Sequence, residues 1–220
     1  MDPFAESVNY APFSTIPWPI PNDDLAAMDD ADEWWLVACM DWPRDRWLGY
    51  ILGYRKAAAV LVGHVTETGH HQDTLVYPFL LCWRHYVELQ LKVAITLLRR
   101  WHEEPAELVR THKINLLWGT AKKLLLRQEL PEEDLEAVNN TEKILLQLHG
   151  LDPTSEHSRY PVRNDGSHTL EFLPRVHMRR FHEAMERVAH FLDACDSKLR
   201  EDINTRDEIR ADYSRMHGDE

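Results

Sequence analysis

The strongest hydrophobic pattern in the chain runs through residues 76–102, where apolar residues recur every three or four positions. This spacing predicts a helix with one buried face. Its stripe consists of Leu80, Leu81, Val87, Leu91, Ile95 and Leu98. The same spacing predicts a helix over 44–66, whose stripe consists of Trp47, Tyr50, Ile51, Tyr54, Ala58, Leu61 and Val62.

Weaker stripes, together with start and stop signals, predict further helices. Acidic residues suit a first helical turn, proline suits the start of a helix, and glycine suits its end. By these signals the chain has four more helices, over 23–38, about 106–127, 131–150 and about 174–212.

Residues 151–173 hold proline, glycine and short polar side chains, so they predict one long ordered loop, with a short hairpin at "RNDG". No alternating strand pattern extends beyond a few residues. The fold class that follows is all-α, a single helical bundle of about six helices. We expect an N-terminal arm over 1–22, the bundle domain over 23–212 and a tail over 213–220.

Charge and composition narrow the classes of function. The net charge of −12 argues against a broad, non-specific grip on nucleic acid. Basic residues nevertheless outnumber acidic ones within 75–127, where a small anionic ligand could be bound. No apolar run reaches membrane-spanning length, the start lacks the pattern of a signal peptide, and three cysteines fit no disulfide framework. We therefore expect a cytoplasmic protein that does not engage a membrane.

The candidate chemistry centres on four polar residues within the apolar run "YPFLLCWRHYVELQLKVAI", which are Arg84, His85, Glu88 and Lys92. On a helix, residues 84, 88 and 92 lie one turn apart on one face. One interpretation is a solvated edge with two salt bridges. The other is a cleft in which Glu88 orients Arg84 and His85 toward a phosphate or sugar. The apolar flanks favour the cleft.

Two other segments carry candidate residues. His112, in "THKINLLW", is either a residue at a helix start or an acid–base group. If the helices on either side pair antiparallel, His112 approaches Lys92 and 99–102 rather than Arg84. The loop "DPTSEHSRYP" offers candidate binding residues, which are Asp152, Ser155, Arg159 and Tyr160. This loop either closes the bundle structurally or delivers Arg159 into the same cleft as Arg84.

Known site motifs give no further candidates. The thirteen histidines include no HExxH or HxH arrangement, and the chain has no P-loop, GxGxxG or GxSxG. We therefore expect neither a metal site nor a cofactor.

Four runs together resemble bacterial helical proteins of the HEPN superfamily: "GYRKAAAVLV", "YPFLLCWRHYVELQLK", "HKINLLW" and "DPTSEHSRYP". The resemblance covers roughly 47–162. It implies a helical bundle that acts as a homodimer on RNA or nucleotide, as a metal-independent ribonuclease of a toxin–antitoxin or phage-defence system. The superfamily's mark is an arginine followed, after four to six residues, by a histidine. Here that spacing starts not from Arg84 but at Arg163/His168, Arg175/His182 and Arg210/His217.

The ribonuclease hypothesis gives each candidate a role. Arg84 stabilises the phosphorane, His85 or His112 acts as acid or base, and Glu88 orients Arg84 or His85. The substrate-binding candidates are Lys92, Asp152, Ser155, Arg159 and Tyr160. The alternative is a non-catalytic regulatory partner in such a system, favoured by the aromatic N-terminal arm and the charged end of the last helix.

Overall fold

The structure is a computed structural model that describes residues 18–19, 21, 24–25, 34–40, 45–107 and 109–217. The chain divides into two compact units, Met1–Trp42 and Pro43–Glu220. In the first unit, Trp34–Leu36 forms a short 3-10 helix. The helix predicted over 23–38 and the arm predicted over 1–22 lie largely outside the described residues.

The first two helices of the second unit form a hairpin. Helix α1 spans Arg46–Thr68, and its first turn is capped by Asp45, whose Oδ1 accepts from the Trp47 N–H at 3.0 Å. Gly69 ends the helix with a φ of 71°, a left-handed conformation that glycine adopts without a steric penalty. Helix α2 follows at once over Gln72–Trp101 and packs along α1.

Helix α2 is the centre of the bundle because it contacts α1 and two later helices. Its aromatic residues Phe79, Trp83 and Tyr86 are fully buried. Each such side chain stabilises the fold by about 1.5–3 kcal/mol through removal of its apolar surface from water. The middle of α2, over 79–91, is so enclosed that a polar residue there has a largely buried environment.

Three more helices complete the unit. They are α3 over Ile114–Leu125, α4 over Glu132–Leu151 and α5 over Met178–His217. Helix α3 packs on α2 and α4, while α5 packs on α1, α2 and α4. Arg55 of α1 fastens α5 through Glu186 at 2.5 Å and Asp193 at 2.6 Å.

The all-α prediction is confirmed for the described part of the chain, which contains five α-helices and no strand. The sixth predicted helix is not confirmed. The fourth predicted helix, over 106–127, is shorter than expected, because the described residues between α2 and Ile114 are not helical. The long loop is present between α4 and α5, and it contains a single antiparallel bridge, Val162 with His168, around the predicted "RNDG" turn. No described helix is long and apolar enough to cross a membrane.

Candidate functional site: an ionic network on helix α2

The polar face of α2 is turned into the bundle. Arg84 and Glu88 are each only 1% exposed, and the Lys92 side chain is 13% exposed. Arg84 Nη1 donates to Glu88 Oε2 at 3.2 Å, and Lys92 Nζ donates to Glu88 Oε1 at 2.8 Å. The two salt bridges predicted on this face are therefore present, but in the interior rather than on a solvated edge.

The Arg84 guanidinium joins three segments of the chain. Nε donates to the Asp152 carbonyl at 3.2 Å, and Nη2 donates to the His112 carbonyl at 2.5 Å. Burial lowers the pKa of Arg84, although the charges of Glu88 and Asp152 act against it. The group stays charged because arginine ordinarily titrates far above neutral pH. All three of its nitrogens are engaged by the protein, which makes Arg84 a positioning group in this geometry.

Glu88 holds a histidine as well as two cations. His112 Nδ1 lies 2.8 Å from Glu88 Oε1, while the His112 side chain is 66% exposed. On its own, burial would raise the pKa of the Glu88 carboxyl, but hydrogen bonds from Lys92 and His112 outweigh burial and lower it. Glu88 is thus a carboxylate near neutral pH, and it fixes one imidazole nitrogen while the ring remains open to water.

The expected position of His112 needs a correction. Antiparallel pairing of two long helices would have placed it near Lys92 and 99–102 rather than Arg84. Instead its carbonyl binds Arg84 directly, while its ring reaches the carboxylate that also binds Lys92. The reason is that α3 begins only at Ile114, so the His112 carbonyl is not used by a helix and is free to accept.

Asp152 builds the loop that follows α4. Its Oδ1 accepts from the backbone N–H of Glu156 at 2.8 Å and of His157 at 3.1 Å, and its Oδ2 accepts from the Ser158 hydroxyl at 2.8 Å. On its own, burial would raise the pKa of the Asp152 carboxyl, but these donors outweigh it and lower the pKa. Asp152 is only 3% exposed, so its role is to shape the loop rather than to meet a ligand.

The outer part of the same loop carries Arg159 and Tyr160. Arg159 is exposed, and its Nε and Nη2 donate to the carbonyl and the hydroxyl of Ser155 at 2.5 and 3.1 Å. Ser155 itself is buried with a φ of 66°. The Tyr160 side chain is 59% exposed. Arg159 is thus an exposed cation of the loop whose guanidinium is held by Ser155.

His85 lies beside this network. The residue is half-buried, with its ring edge against Tyr54 at a centroid distance of 4.5 Å. Burial lowers the pKa of His85, and the charges of Arg159 and Arg84 lower it further, while Glu88 acts in the opposite direction. Within the described residues the His85 ring makes no hydrogen bond. His85 is therefore an uncharged imidazole at neutral pH, near the charges of Arg84 and Arg159.

Sequence reasoning missed three residues that support the site. Ser158 and His157 hold the loop, the latter through Nδ1 to the Leu151 carbonyl at 2.9 Å and through Nε2 to Arg163 Nε at 3.2 Å. His149 lies in the last turn of α4 with Nδ1 buried and without a partner, and burial lowers its pKa. A loop has no periodicity from which such contacts could have been found.

The superfamily's arginine–histidine spacing does not mark this network. Arg163 and His168 lie in the loop, and Arg175 precedes α5. His182 packs against Trp83 with ring centroids 5.4 Å apart. Arg210 pairs with Glu103 instead. In the described part of the chain, no group of histidine, cysteine, aspartate or glutamate side chains could hold a metal ion.

Comparisons of the chain with protein families, with curated proteins and with solved structures find no match. The geometry of the network therefore carries the functional argument.

Proposed function

We propose that the protein acts on RNA or nucleotide through the network around Glu88, as a HEPN-like, metal-independent ribonuclease. The observation that carries this is the Glu88–His112 contact of 2.8 Å, which orients an imidazole whose side chain is 66% exposed. From the resemblance we further propose that it works as a cytoplasmic homodimer in a toxin–antitoxin or phage-defence system.

Cleavage of RNA without a metal requires a base, an acid and a cation beside the phosphate. His85, uncharged because its pKa is lowered, accepts the proton of the 2′-hydroxyl. The 2′-oxygen then bonds to phosphorus, the bond from phosphorus to the 5′-oxygen breaks, and His112 donates a proton to the departing oxygen. Glu88 compensates the positive charge of protonated His112, as carboxylates do beside catalytic histidines.

The candidate substrate-binding residues differ in exposure, since Arg159 is exposed while the Lys92 side chain is only 13% exposed. Arg159 and Lys92 are the proposed phosphate contacts, with Tyr160 offering a ring next to Arg159 on the loop. Arg84, Asp152 and Ser155 are buried and hold these groups in place. This moves Arg84 from the phosphorane-stabilising role expected from the sequence to a positioning role, because its three nitrogens already bind protein acceptors.

The test is to incubate the purified protein with tRNA and total RNA in EDTA. The proposal expects fragments that end in a 2′,3′-cyclic phosphate, the product of attack by the 2′-hydroxyl. Full-length RNA after prolonged incubation, or fragments with a different end, would overturn the ribonuclease proposal.

A second candidate function is that of a non-catalytic protein partner. The observation that favours it is the outer face of α1, where Leu48, Tyr50, Leu52 and Val60 are all 46–59% exposed. Large apolar side chains left exposed in this number on one helix favour an interaction surface. This function predicts a stoichiometric complex that Leu52→Glu and Val60→Glu disrupt, together with no action on RNA. An inert monomer would contradict it.

A further inference from the structure

A cavity of about 670 Å³ lies beside the network, between the second half of α2, the start of α1 and the segment after α2. Its volume falls within the range of about 300–1,000 Å³ that is usual for small-molecule sites. Trp47, Val93, Leu97 and Ala106 give it apolar walls. Of the described lining residues, the proposed chemistry uses Lys92 alone.

Lys92 connects the cavity to the network. It lines the cavity, and its Nζ lies 2.8 Å from Glu88 Oε1. A ligand in the cavity therefore ends next to the carboxylate that also orients His112. Lys92 can therefore contact a ligand group that extends from the cavity toward Glu88.

The charged residues of the cavity are already paired with each other or with neighbours. Arg99 pairs with Glu107 at 3.5 Å, Arg100 pairs with Asp207 at 2.7 Å, and Arg200 pairs with Asp196 at 2.7 Å. Because these arginines already bind protein carboxylates, the apolar wall is the part of the cavity left to a ligand. The cavity instead suits an uncharged, flat group.

Trp47 supplies the surface for such a group. It is 42% exposed although it lines a cavity, and its backbone is fixed by the cap from Asp45. Aromatic side chains stack on the bases of single-stranded RNA, and this stacking tolerates different sequences. A cavity lined by both an aromatic ring and Lys92 therefore fits a base followed by its sugar.

We propose that this cavity binds a ribonucleoside, with the base stacked on Trp47 and the sugar directed toward Lys92. The inference rests on the proposed action on RNA or nucleotide and specifies where the unpaired base is held.

The experiment is equilibrium dialysis of the full chain against each of the four ribonucleosides. We expect at least one to bind, Trp47→Phe to keep its affinity within about twofold, and Trp47→Ala to weaken it by about tenfold or more. Thr96→Trp, at an exposed position on the cavity wall, should abolish binding by filling the space. Tyr213→Ala removes an exposed ring far along α5 and should change nothing.

The base could belong to a free nucleotide or to an RNA chain. Dialysis against nucleoside monophosphates and against a short single-stranded RNA distinguishes these, because the natural ligand should bind more tightly. Thr96→Trp must weaken the binding of both. Absence of nucleoside binding by the wild type, or equal binding by Thr96→Trp, would overturn the inference.

The nucleoside-binding proposal and the ribonuclease proposal can be refuted independently of each other. Nucleosides that bind here while His85→Asn and His112→Asn still cleave RNA at the wild-type rate would refute the ribonuclease roles alone. RNA cleavage that requires both histidines but is unchanged in Trp47→Ala and Thr96→Trp would refute the cavity alone.

Discussion

Arg84 donates through Nε to the carbonyl of Asp152 at 3.2 Å, which ties the middle of α2 to the end of α4 across 68 residues of sequence. The same guanidinium holds the His112 carbonyl before α3 and the Glu88 carboxylate on its own helix. One buried cation therefore sets the relative positions of every segment that carries a candidate catalytic group.

Replacement of Arg84 by methionine should destabilise the protein strongly. The variant leaves the buried Glu88 carboxylate with one cation fewer and two carbonyls without their donor, which costs about 3–5 kcal/mol. Urea denaturation monitored by tryptophan fluorescence measures this loss.

The double variant Arg84→Met/Glu88→Leu should lose less than the sum of the two single variants, because it removes both charges together. Lys198→Met, which breaks an exposed pair with Asp202, is the control and should leave stability nearly unchanged. Strictly additive losses would contradict a coupled buried pair.

Loss of the Ser158 hydroxyl should loosen the loop without unfolding the bundle. Ser158→Ala removes one donor from the buried Asp152 carboxylate, at a cost of about 1–3 kcal/mol. Hydrogen exchange should accelerate at the amides of Glu156 and His157, which donate to the same carboxylate. Uniform acceleration across α2 as well would show that the loop does not move as a separate element.

The sequence predicted the helices and the polar face of α2 because both follow from periodicity. The same periodicity predicted too many buried residues on α1. Trp47 and Tyr50 lie on the expected stripe, yet they are 42% and 59% exposed. Periodicity indicates which residues share a face but not how far a neighbouring helix covers it. The Asp152–Ser158 contact lies within an irregular loop, and the Arg84–His112 contact joins α2 to an irregular segment, for which no spacing rule exists.

His85 should titrate below the ordinary histidine value of 6.5. Its pKa should rise in Arg159→Ala, because that charge opposes protonation, and fall in Glu88→Gln, because that charge favours it. NMR titration of the His85 ring carbons measures both shifts. Identical titration curves in all three proteins would mean that neither charge is near the ring.

Stability should fall with acidification in two windows. Burial lowers the pKa of His85, His149 and His182 in the folded state, so the unfolded chain binds protons first and stability decreases as pH falls below about 6.5. Glu88 and Asp152 also have lowered pKa values, so their contribution is present above their unfolded values and is lost as pH falls through and below 4.5 and 3.8.

Urea denaturation at pH 7.5, 6, 5, 4 and 3 follows both windows. His182→Gln removes one of the three histidines and should make the first decrease in stability shallower. A free energy of unfolding that stays constant from pH 7.5 to 5 would contradict the role of the buried histidines.

The most direct test of the proposed chemistry is single-turnover cleavage of a short RNA in EDTA by the wild type, His85→Asn, His112→Asn and the exposed control His190→Asn. General acid or base catalysis by one histidine contributes about 10²–10⁴-fold, so each of the first two variants should slow cleavage by at least about a hundredfold, and the control should match the wild type. Equal rates in all four proteins, or no cleavage by any of them, would contradict the account.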